Sequence, residues 1–261
     1  MNDGAAMTLE SLDADLERRF GGLRRLWGDT AYQRVRSARV AVVGVGGVGS
    51  WAAEALARCG VAGLVLVDLD QIAESNINRQ VQALGSTVGA AKVDVLRQRI
   101  ADIHPGCAVE TVEDFVAPDN WPALLPRAVD GVIDACDQSS AKLALATWAL
   151  AGGHSLVIAG AAGGKSRPQA LEVDDLAQVT HDPLLASLRQ RLRRAGAPRS
   201  GRIGLSCVFS REPVAAPLDA ACNTDGTLNC HGYGSVVTVT ASFGMAAAAE
   251  VLRQVRERSK D

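Results

Sequence analysis

The sequence predicts an α/β fold, a Rossmann-like and mostly parallel sheet with helices on both faces, extended by a C-terminal antiparallel portion. Short apolar runs and helical patterns alternate five times between Arg39 and Ala161, which is typical of parallel strands joined by right-handed crossovers. A glycine-rich turn follows the first apolar run, and polar residues follow several others. With 261 residues, 48% of them hydrophobic, the chain is predicted to form a single domain, residues 1–261.

Three portions of this domain follow one another along the chain. Residues 1–37 are predicted to be a helical leader with Asp29 as an N-cap, residues 38–164 the nucleotide-binding core, and residues 165–261 a substrate-side extension. Strands are predicted where apolar runs are short, and helices where apolar residues recur every three or four positions. The core strands are predicted at RVAVVG, LVLVD, CAVETV, VDGVIDACD and SLVIAGAAGG, and the helices at SWAAEALARCG, VGAAKVDVLRQRIADIHPG, PDNWPALL and QSSAKLALATWALAGG.

The C-terminal segment allows two interpretations. Between Gly232 and Val251 the only charged residue is Glu250. The alternation in SVVTVTAS predicts a strand and FGMAAAAEVL predicts a helix that packs on the sheet. A segment of this length could also span a bilayer, so membrane association through residues 232–252 is the alternative.

Composition points to a reducing compartment. The 27 Lys and Arg residues nearly balance the 29 Asp and Glu residues, so net charge argues neither for nor against nucleic acid. Six cysteines are spread through the chain without a CxxC pair, and acids occupy the N-terminal stretch where a secretory signal would be apolar. We therefore expect a cytoplasmic protein with buried thiols.

The stretch GVGGVG, between a predicted strand and a predicted helix, indicates a nucleotide site. Glycines let backbone N–H groups approach phosphates, and the helix N-terminus favours negative charge. Asp68, at the end of the second strand, has the spacing expected of a ribose-binding acid. The predicted nucleotide-binding residues are Gly44, Gly46, Gly47, Gly49, Asp68, Asp70, Asn76, Asn78, Arg79 and Lys92.

Two cations favour a triphosphate over a nicotinamide cofactor. Arg79 and Lys92 both follow Asp68 within the same crossover, and paired cations suit the charge that gathers on a leaving pyrophosphate. Asp137, after the fourth strand, is predicted to bind a magnesium ion beside the phosphates. The alternative is that it is the N-cap of the next helix. The predicted cofactors are ATP and Mg²⁺.

Together these segments resemble the ubiquitin-activating-enzyme-like (ThiF-type) adenylate-forming family, whose members activate a carboxylate as an acyl-adenylate. The resemblance implies that Asp68 binds the ribose and that Asn76 and Arg79 bind the phosphates. It implies that Lys92 contacts the phosphates and the transition state and that Asp137 binds magnesium. Arg79, Lys92 and Asp137 are therefore the expected catalytic residues, joined by a leader arginine, for which Arg19 is the first candidate and Arg24 and Arg25 are the alternatives.

Within the family, RRFGGLRRLWG, EDFVAPDN, HDPLLASLRQRLRR and CVFSREP resemble the branch that acts on threonylcarbamoyladenosine in tRNA. That branch uses ATP to adenylate the threonyl carboxylate next to the anticodon, closes a ring and releases AMP. The resemblance covers about residues 18–255. It implies a homodimer and a sulfur-relay partner. The alternative function is an adenylating activator of a small ubiquitin-like sulfur carrier, although such activators carry two zinc-binding CxxC pairs that are absent here.

A basic segment supports the tRNA interpretation. Six arginines and no acid lie between Arg189 and Arg202, on and after a helix predicted to begin at Asp182 as N-cap. Such a patch suits phosphate contacts, although a solvated helix face is the alternative. The predicted tRNA-binding residues are Arg189, Arg191, Arg193, Arg194, Arg199 and Arg202.

The remaining cysteine hypotheses concern the extension. Cys207 lies in the apolar stretch LSCVFS and is predicted to be a buried structural thiol, with thioester formation as the alternative. Cys207, Cys222, Cys230 and His231 together are an irregular alternative for a metal site.

Overall fold

A computed structural model describes residues 9–215 and 233–258. The leader forms helices α1 (Leu9–Trp27) and α2 (Asp29–Ser37). The other helices are α3 (Gly49–Arg58), α4 (Lys92–Ile103), α5 (Ser139–Gly152), α6 (Pro183–Arg194) and α7 (Val237–Glu257). The strands are β1 (Arg39–Val43), β2 (Gly63–Val67), β3 (Ala108–Val112), β4 (Gly131–Asp134), β5 (Leu156–Ala159), β6 (Leu171–Asp175) and β7 (Ser206–Ser210).

One sheet carries the domain, in the order β3-β2-β1-β4-β5-β7-β6. All pairings are parallel except that of β6 with β7, so the predicted fold class is confirmed. Alternate residues of β1 face opposite layers, as expected of a strand. Val40 and Val42 pack towards α3, α4 and α7, whereas Ala41 and Val43 pack towards α5 and α6.

The strand predicted at SVVTVTAS is wrong, because α7 begins at Val237. Alternating Val and Thr fits a strand, but Thr240, Phe243 and Ala247 recur at helical spacing and are all buried. A Cβ on Gly244 would lie 2.4 Å from the Val48 carbonyl oxygen, so this glycine lets α7 pack closely on α3. Packing against α3 therefore makes this segment a helix rather than the predicted strand.

Within residues 9–215 and 233–258, no helix combines the length and the apolar character needed to cross a bilayer.

Two local predictions also need correction. The segment PDNWPALL forms turns, because Asn120 accepts from Ala117 N at 2.8 Å and donates to the Phe115 carbonyl at 2.9 Å, and such local bonds compete with a helix. Gly28, with φ of 79°, occupies the N-cap position of α2. Asp29 is therefore the first helical residue, and it pairs with Arg24 at 3.0 Å.

A polar cluster around the buried His104 attaches the leader to the core. Arg19 donates to the carbonyls of Asp102 and Ile103 at the end of α4, at 3.3 and 3.1 Å. Arg36 Nη1 lies 2.9 Å from His104 Nε2, which must accept because a guanidinium only donates. Burial, followed by the charges of Arg36 and Arg19, lowers the pKa of His104 to about 4. The imidazole is therefore neutral in the folded protein near pH 7.

We predict that this neutral histidine makes the protein less stable in mild acid. The unfolded chain binds a proton on His104 below about pH 6.5, whereas the folded chain does so only near pH 4. The contribution is present above pH 6.5 and is lost as the pH falls towards 4. Urea unfolding between pH 7.5 and 4.5 should show a shallower acid slope in His104→Gln. The exposed His154→Gln is the control, and equal slopes for His104→Gln and the native protein would contradict the prediction.

Candidate active site

A cleft of about 490 Å³ opens where the carboxyl ends of the parallel strands meet. This is the edge at which ligands bind in open α/β sheets. Its walls come from the turns that follow β1, β2, β3, β4 and β5, and from the beginnings of α4, α6 and α7. The nucleotide-binding core and the C-terminal extension therefore both contribute to it.

The glycine turn forms one wall and leads into α3. Gly44 has φ of 81°, and a Cβ there would lie 3.0 Å from the backbone of Ala135. A Cβ on Gly49 would lie 1.8 Å from the Gly44 carbonyl oxygen. Only glycine fits these positions, and Gly46 and Gly47 line the cleft. The N-terminus of α3 thus faces the cleft with unpaired N–H groups, an arrangement suited to an anion.

Asp68 connects the end of β2 to this turn. Its Oδ2 accepts from Val45 N at 2.7 Å and its Oδ1 from Asp70 N at 2.9 Å. Burial raises the pKa of Asp68, and the charge of Lys92, 4.0 Å away, opposes that rise. A largely buried carboxylate at the end of the second strand is the group that binds a ribose in folds of this type.

The two predicted cations lie at the same cleft. Lys92 is the first residue of α4, is 5% exposed, and pairs with Asp70 Oδ2 at 2.7 Å. Arg79 lines the cleft and donates through Nη1 to the Ser75 carbonyl and to Asn78 Oδ1. The structure therefore gathers both cations around the glycine turn.

The asparagines shape the turn that carries Arg79. Asn76 is 9% exposed, and its Oδ1 accepts from Ala73 N at 3.1 Å. Asn78 donates from Nδ2 to the Ser235 carbonyl at 2.9 Å. Asn76 lines the cleft, whereas the described contacts of Asn78 are to Arg79 and to the chain just before α7.

Asp137 lines the cleft and is exposed to solvent. Gln138, not Asp137, occupies the N-cap position of α5 and makes no side-chain cap bond. The N-cap alternative for Asp137 is therefore wrong. Its carboxylate is left available to the cleft, with no hydrogen-bond partner among the residues that the structure describes.

A buried ion pair lies behind this wall, next to the lining residues Ala135 and Ala141. Lys142 Nζ lies 3.1 Å from Asp134 Oδ1, and both side chains are fully buried. Lys142 also donates to the Ala159 carbonyl at 2.8 Å, and Cys136 N donates to Asp134 at 3.2 Å. The pair thus ties the end of β4 to the end of β5, the two strands whose following turns line the cleft.

Several lining residues escaped the sequence analysis. Asp114, Phe115 and Val116 line the cleft from the turn after β3, and the Phe115 ring is 50% exposed. The rule that ligands sit at the carboxyl ends of strands could have identified them. Thr240 could not have been found in this way, because its helix was partly predicted as a strand.

None of the leader arginines Arg19, Arg24 and Arg25 lines the cleft. Arg19 bonds to the last residues of α4, whereas Lys92, in the cleft, is the first. A 12-residue helix separates them, so Arg19 does not join the cleft of its own chain. Arg24 pairs with Glu17 and Asp29, both at 3.0 Å, and Arg25 is exposed.

The basic segment lies on and after α6. Asp182 caps the helix, accepting from Leu185 N at 3.0 Å, as predicted. Arg191 donates to the Ser139 carbonyl at 3.0 Å, close to the lining residue Gln138. Arg202 lies 3.8 Å from Asp175, at the end of β6 that pairs with the beginning of β7, and hence at the opposite edge of the sheet.

The other four arginines differ in exposure. Arg189 is half-buried and donates to the carbonyls of Leu176 and Val179 at 3.1 and 2.7 Å. Arg193 is also half-buried, whereas Arg194 and Arg199 are exposed. The segment is therefore partly structural, and Arg191 is the member nearest the cleft by its contacts.

Cys207 is fully buried, and burial raises the pKa of its thiol, which supports the structural interpretation. Among the described residues, no group of three His, Cys, Asp or Glu side chains could hold a metal ion. Cys222, Cys230 and His231 lie outside the described residues.

The chain is similar in sequence to known proteins over most of its length. A model of the ThiF family matches residues 21–261. The tRNA threonylcarbamoyladenosine dehydratase of Escherichia coli is 40% identical over 254 residues, covering 93% of this chain and 95% of that protein. The Haemophilus influenzae dehydratase is 37% identical over 248 residues, with the same two coverages of 93% and 95%.

A solved structure agrees with these relatives. The crystal structure of the E. coli dehydratase in complex with ATP superposes with a TM-score of 0.83 at 38% identity, covering 96% of this chain and 97% of that one. Its complex with AMP gives a TM-score of 0.84 at 38% identity, covering 97% of both chains.

We predict that the buried pair of Lys142 and Asp134 contributes strongly to the stability of the fold behind the cleft. Lys142→Met leaves the Asp134 carboxylate buried without its counter-charge, which should cost about 3–5 kcal/mol of unfolding free energy. The double variant Lys142→Met/Asp134→Leu should recover much of this loss. Urea denaturation measures both. A single variant that loses less than about 1 kcal/mol would show that the pair is dispensable.

Proposed function

The chain belongs to the ThiF family, and from this premise we propose that it is an ATP-dependent tRNA threonylcarbamoyladenosine dehydratase. The observation that carries the proposal is the convergence of Asp68, Arg79 and Lys92 on one glycine-lined cleft, in a chain of which 93% aligns with dehydratases. The threonyl carboxylate of the modified adenosine attacks the α-phosphate of ATP, giving an acyl-adenylate and pyrophosphate. The ureido nitrogen then attacks the activated carbonyl, the ring closes, and AMP leaves with a proton released, so that the net change is loss of water.

ATP has a defined place in this proposal. The ribose hydroxyls bind at Asp68, and the phosphates lie over the glycine turn at the N-terminus of α3. The adenine then lies beyond the ribose, between Leu69 and the turn that carries Phe115, both of which line the cleft. Leu69 is 56% exposed and Phe115 50% exposed, so a base can cover apolar surface that now faces water.

Arg79 and Lys92 stabilise the charge that gathers on the pyrophosphate. Lys92 already pairs with Asp70, so its ammonium is held at the cleft before ATP arrives and can turn to the phosphates. Arg79 keeps donors beyond those given to Ser75 and Asn78, since a guanidinium has five. Each cation thus acts on the leaving group without a proton transfer.

The cleft also suits magnesium. Asp137 presents an exposed carboxylate on the wall beside the glycine turn, and Mg²⁺ prefers one or two carboxylates together with phosphate oxygens and water. Asp137 would hold the ion, which when bound would neutralise phosphate charge.

The tRNA approaches across α6 in this proposal. Arg191 lies beside the cleft and Arg194 one turn further along the exposed side of the helix, where both can contact phosphates. Arg189 and Arg193 support them from half-buried positions, and Arg199 and Arg202 extend the surface. The charge of Arg191 remains available although one of its N–H groups bonds to Ser139.

A homodimer is also proposed. Met245 is 43% exposed on α7, and a second copy could cover this outward-facing apolar side chain. An arginine of one leader could then serve its partner's cleft. Arg25 fits that role better than Arg19, which is occupied at the end of α4. A sulfur-relay partner remains a prediction from the family resemblance.

The function is tested with labelled ATP and defined substrates. Pyrophosphate release should require tRNA that carries threonylcarbamoyladenosine, and the nucleoside recovered afterwards should have lost the mass of one water. Unmodified tRNA is the matched control. Release that depends instead on a small carrier protein ending in diglycine would overturn the proposal in favour of a sulfur-carrier activator.

Arg79→Ala and Lys92→Ala should each lower turnover by roughly 10²–10³-fold while changing ATP affinity far less. The reason is that the charge they stabilise is larger in the transition state than in bound ATP. Single-turnover pyrophosphate release and equilibrium ATP binding separate the two effects. Arg97→Ala is the control, because Arg97 is an exposed residue of α4 paired with Asp94. Equal losses of turnover and affinity would mean that the two cations only bind.

Affinity for tRNA should fall steeply with salt, and Arg191→Ala/Arg194→Ala should flatten that dependence. Each phosphate contact removed lowers the log–log slope by about 0.7–0.9, so the double variant should lose between one and two units of slope. Filter binding from 50 to 300 mM salt gives the slopes. Arg97→Ala/Arg127→Ala removes the same charge elsewhere and should leave the slope unchanged. An unaltered slope in the α6 variant would remove this surface from the proposal.

A further inference from the structure

The main-chain carbonyl of Arg79 is held from outside its own turn. The indole Nε1 of Trp51 donates to it at 3.0 Å, a normal length for an N–H···O bond. Trp51 is the third residue of α3. Helix α3, which follows the glycine turn, therefore also forms a hydrogen bond to the backbone of Arg79.

Helix α7 contacts the same carbonyl of Arg79 through Thr240. Thr240 is 2% exposed and lines the cleft, and its hydroxyl lies 3.4 Å from the same Arg79 carbonyl. A Cβ on Gly47 would lie 3.2 Å from Thr240 Cγ2 and 3.4 Å from Arg79 Cγ. The glycine turn, the Arg79 turn and α7 are thus in mutual van der Waals contact.

Trp51 itself has little freedom to move. A Cβ on Gly244 of α7 would lie 2.8 Å from Trp51 Cβ and 2.4 Å from the Val48 carbonyl oxygen. Close packing of α7 therefore fixes the first turn of α3, including the base of the indole. The Trp51 side chain, which belongs to the glycine turn's own helix, therefore helps to fix the distance between the Arg79 carbonyl and the glycine turn.

This distance matters for catalysis. The guanidinium bonds to the Ser75 carbonyl and Asn78 Oδ1, which belong to the same turn and move with it. Bonds inside the turn cannot hold it at a fixed separation from the phosphates. The bond from Trp51 can, and displacement of a catalytic group by a fraction of an ångström is enough to lower a rate.

We propose that Trp51, supported by Thr240, is a positioning residue that sets Arg79 against the phosphates of ATP. The inference rests on the proposed function, since it takes Arg79 to act on the leaving pyrophosphate. Trp51 is not among the residues that line the cleft. It acts through the Arg79 carbonyl alone, so its effect disappears when the Arg79 side chain is absent.

A double-mutant cycle tests this dependence. Trp51→Phe keeps an aromatic ring and removes the N–H donor. It should lower the rate of pyrophosphate release roughly fivefold, the value of one hydrogen bond, with ATP affinity changed less than twofold. In the Arg79→Ala background the same substitution should change the rate less than twofold. Trp148→Phe, in the stacked cluster with His154, is the matched control and should leave the rate unchanged in both backgrounds.

Three outcomes would overturn the inference. A full rate for Trp51→Phe would show that the bond is unimportant, and an equal loss in both backgrounds would show a general structural effect. If Arg79→Ala itself retained full turnover while Trp51→Phe did not, the role of Arg79 in the proposed function would fail first. If the melting profile shows that Trp51→Phe does not fold, Thr240→Val replaces it in the same double-mutant cycle. Thr240→Ser, which restores the hydroxyl, should then recover the rate. Equal losses of rate for Thr240→Val with and without the Arg79 side chain would contradict the proposal.

Discussion

The carboxylate of Asp68 is the interaction on which the cleft depends. By accepting from Val45 and Asp70, it ties the ends of β1 and β2 together before any ligand is present. The same carboxylate keeps the ammonium of Lys92 nearby, at 4.0 Å. A single acid, which we propose binds the ribose, therefore fixes the glycine turn and a cation relative to one another. Its burial, which raises its pKa, is tolerated because two N–H groups and a lysine compensate for the lost water.

The positions of the glycine turn and the neighbouring strand ends were predicted from local signals, whereas several helix boundaries and the residues brought together by packing were not. The glycine turn, Asp68 and Lys92 could be found because strand ends and helix starts have local signals. The start of α7 was misjudged because Val and Thr alternate there, and only the approach of Gly244 to α3 reveals a helix. Phe115 follows the predicted third strand, so the rule on strand ends could have identified it, and its place in the cleft follows from the pairing of β3 with β2.

The charged side chains of this protein are of two kinds: some form hydrogen bonds inside the fold, and others face solvent, where they could contact a ligand. Lys142 and Arg189 give their donors to carbonyls inside the fold, whereas Arg194 and Asp137 face solvent. A count of charged residues cannot separate the two kinds, because a buried donor and an exposed one are written with the same letter. The distinction explains why six arginines in one segment do not amount to six equivalent phosphate contacts.

The contact between Thr240 and Arg79 joins residues that are 161 positions apart. During synthesis on the ribosome, the glycine turn and the Arg79 turn emerge long before the helix that packs against them. Non-local contacts of this kind form late, because the chain between them must first be ordered. A nascent chain that already contains the whole nucleotide-binding core therefore lacks the helix that completes its cleft. Because Thr240 of α7 lines the cleft, the cleft is complete only after this C-terminal helix has been synthesised and has packed on the core.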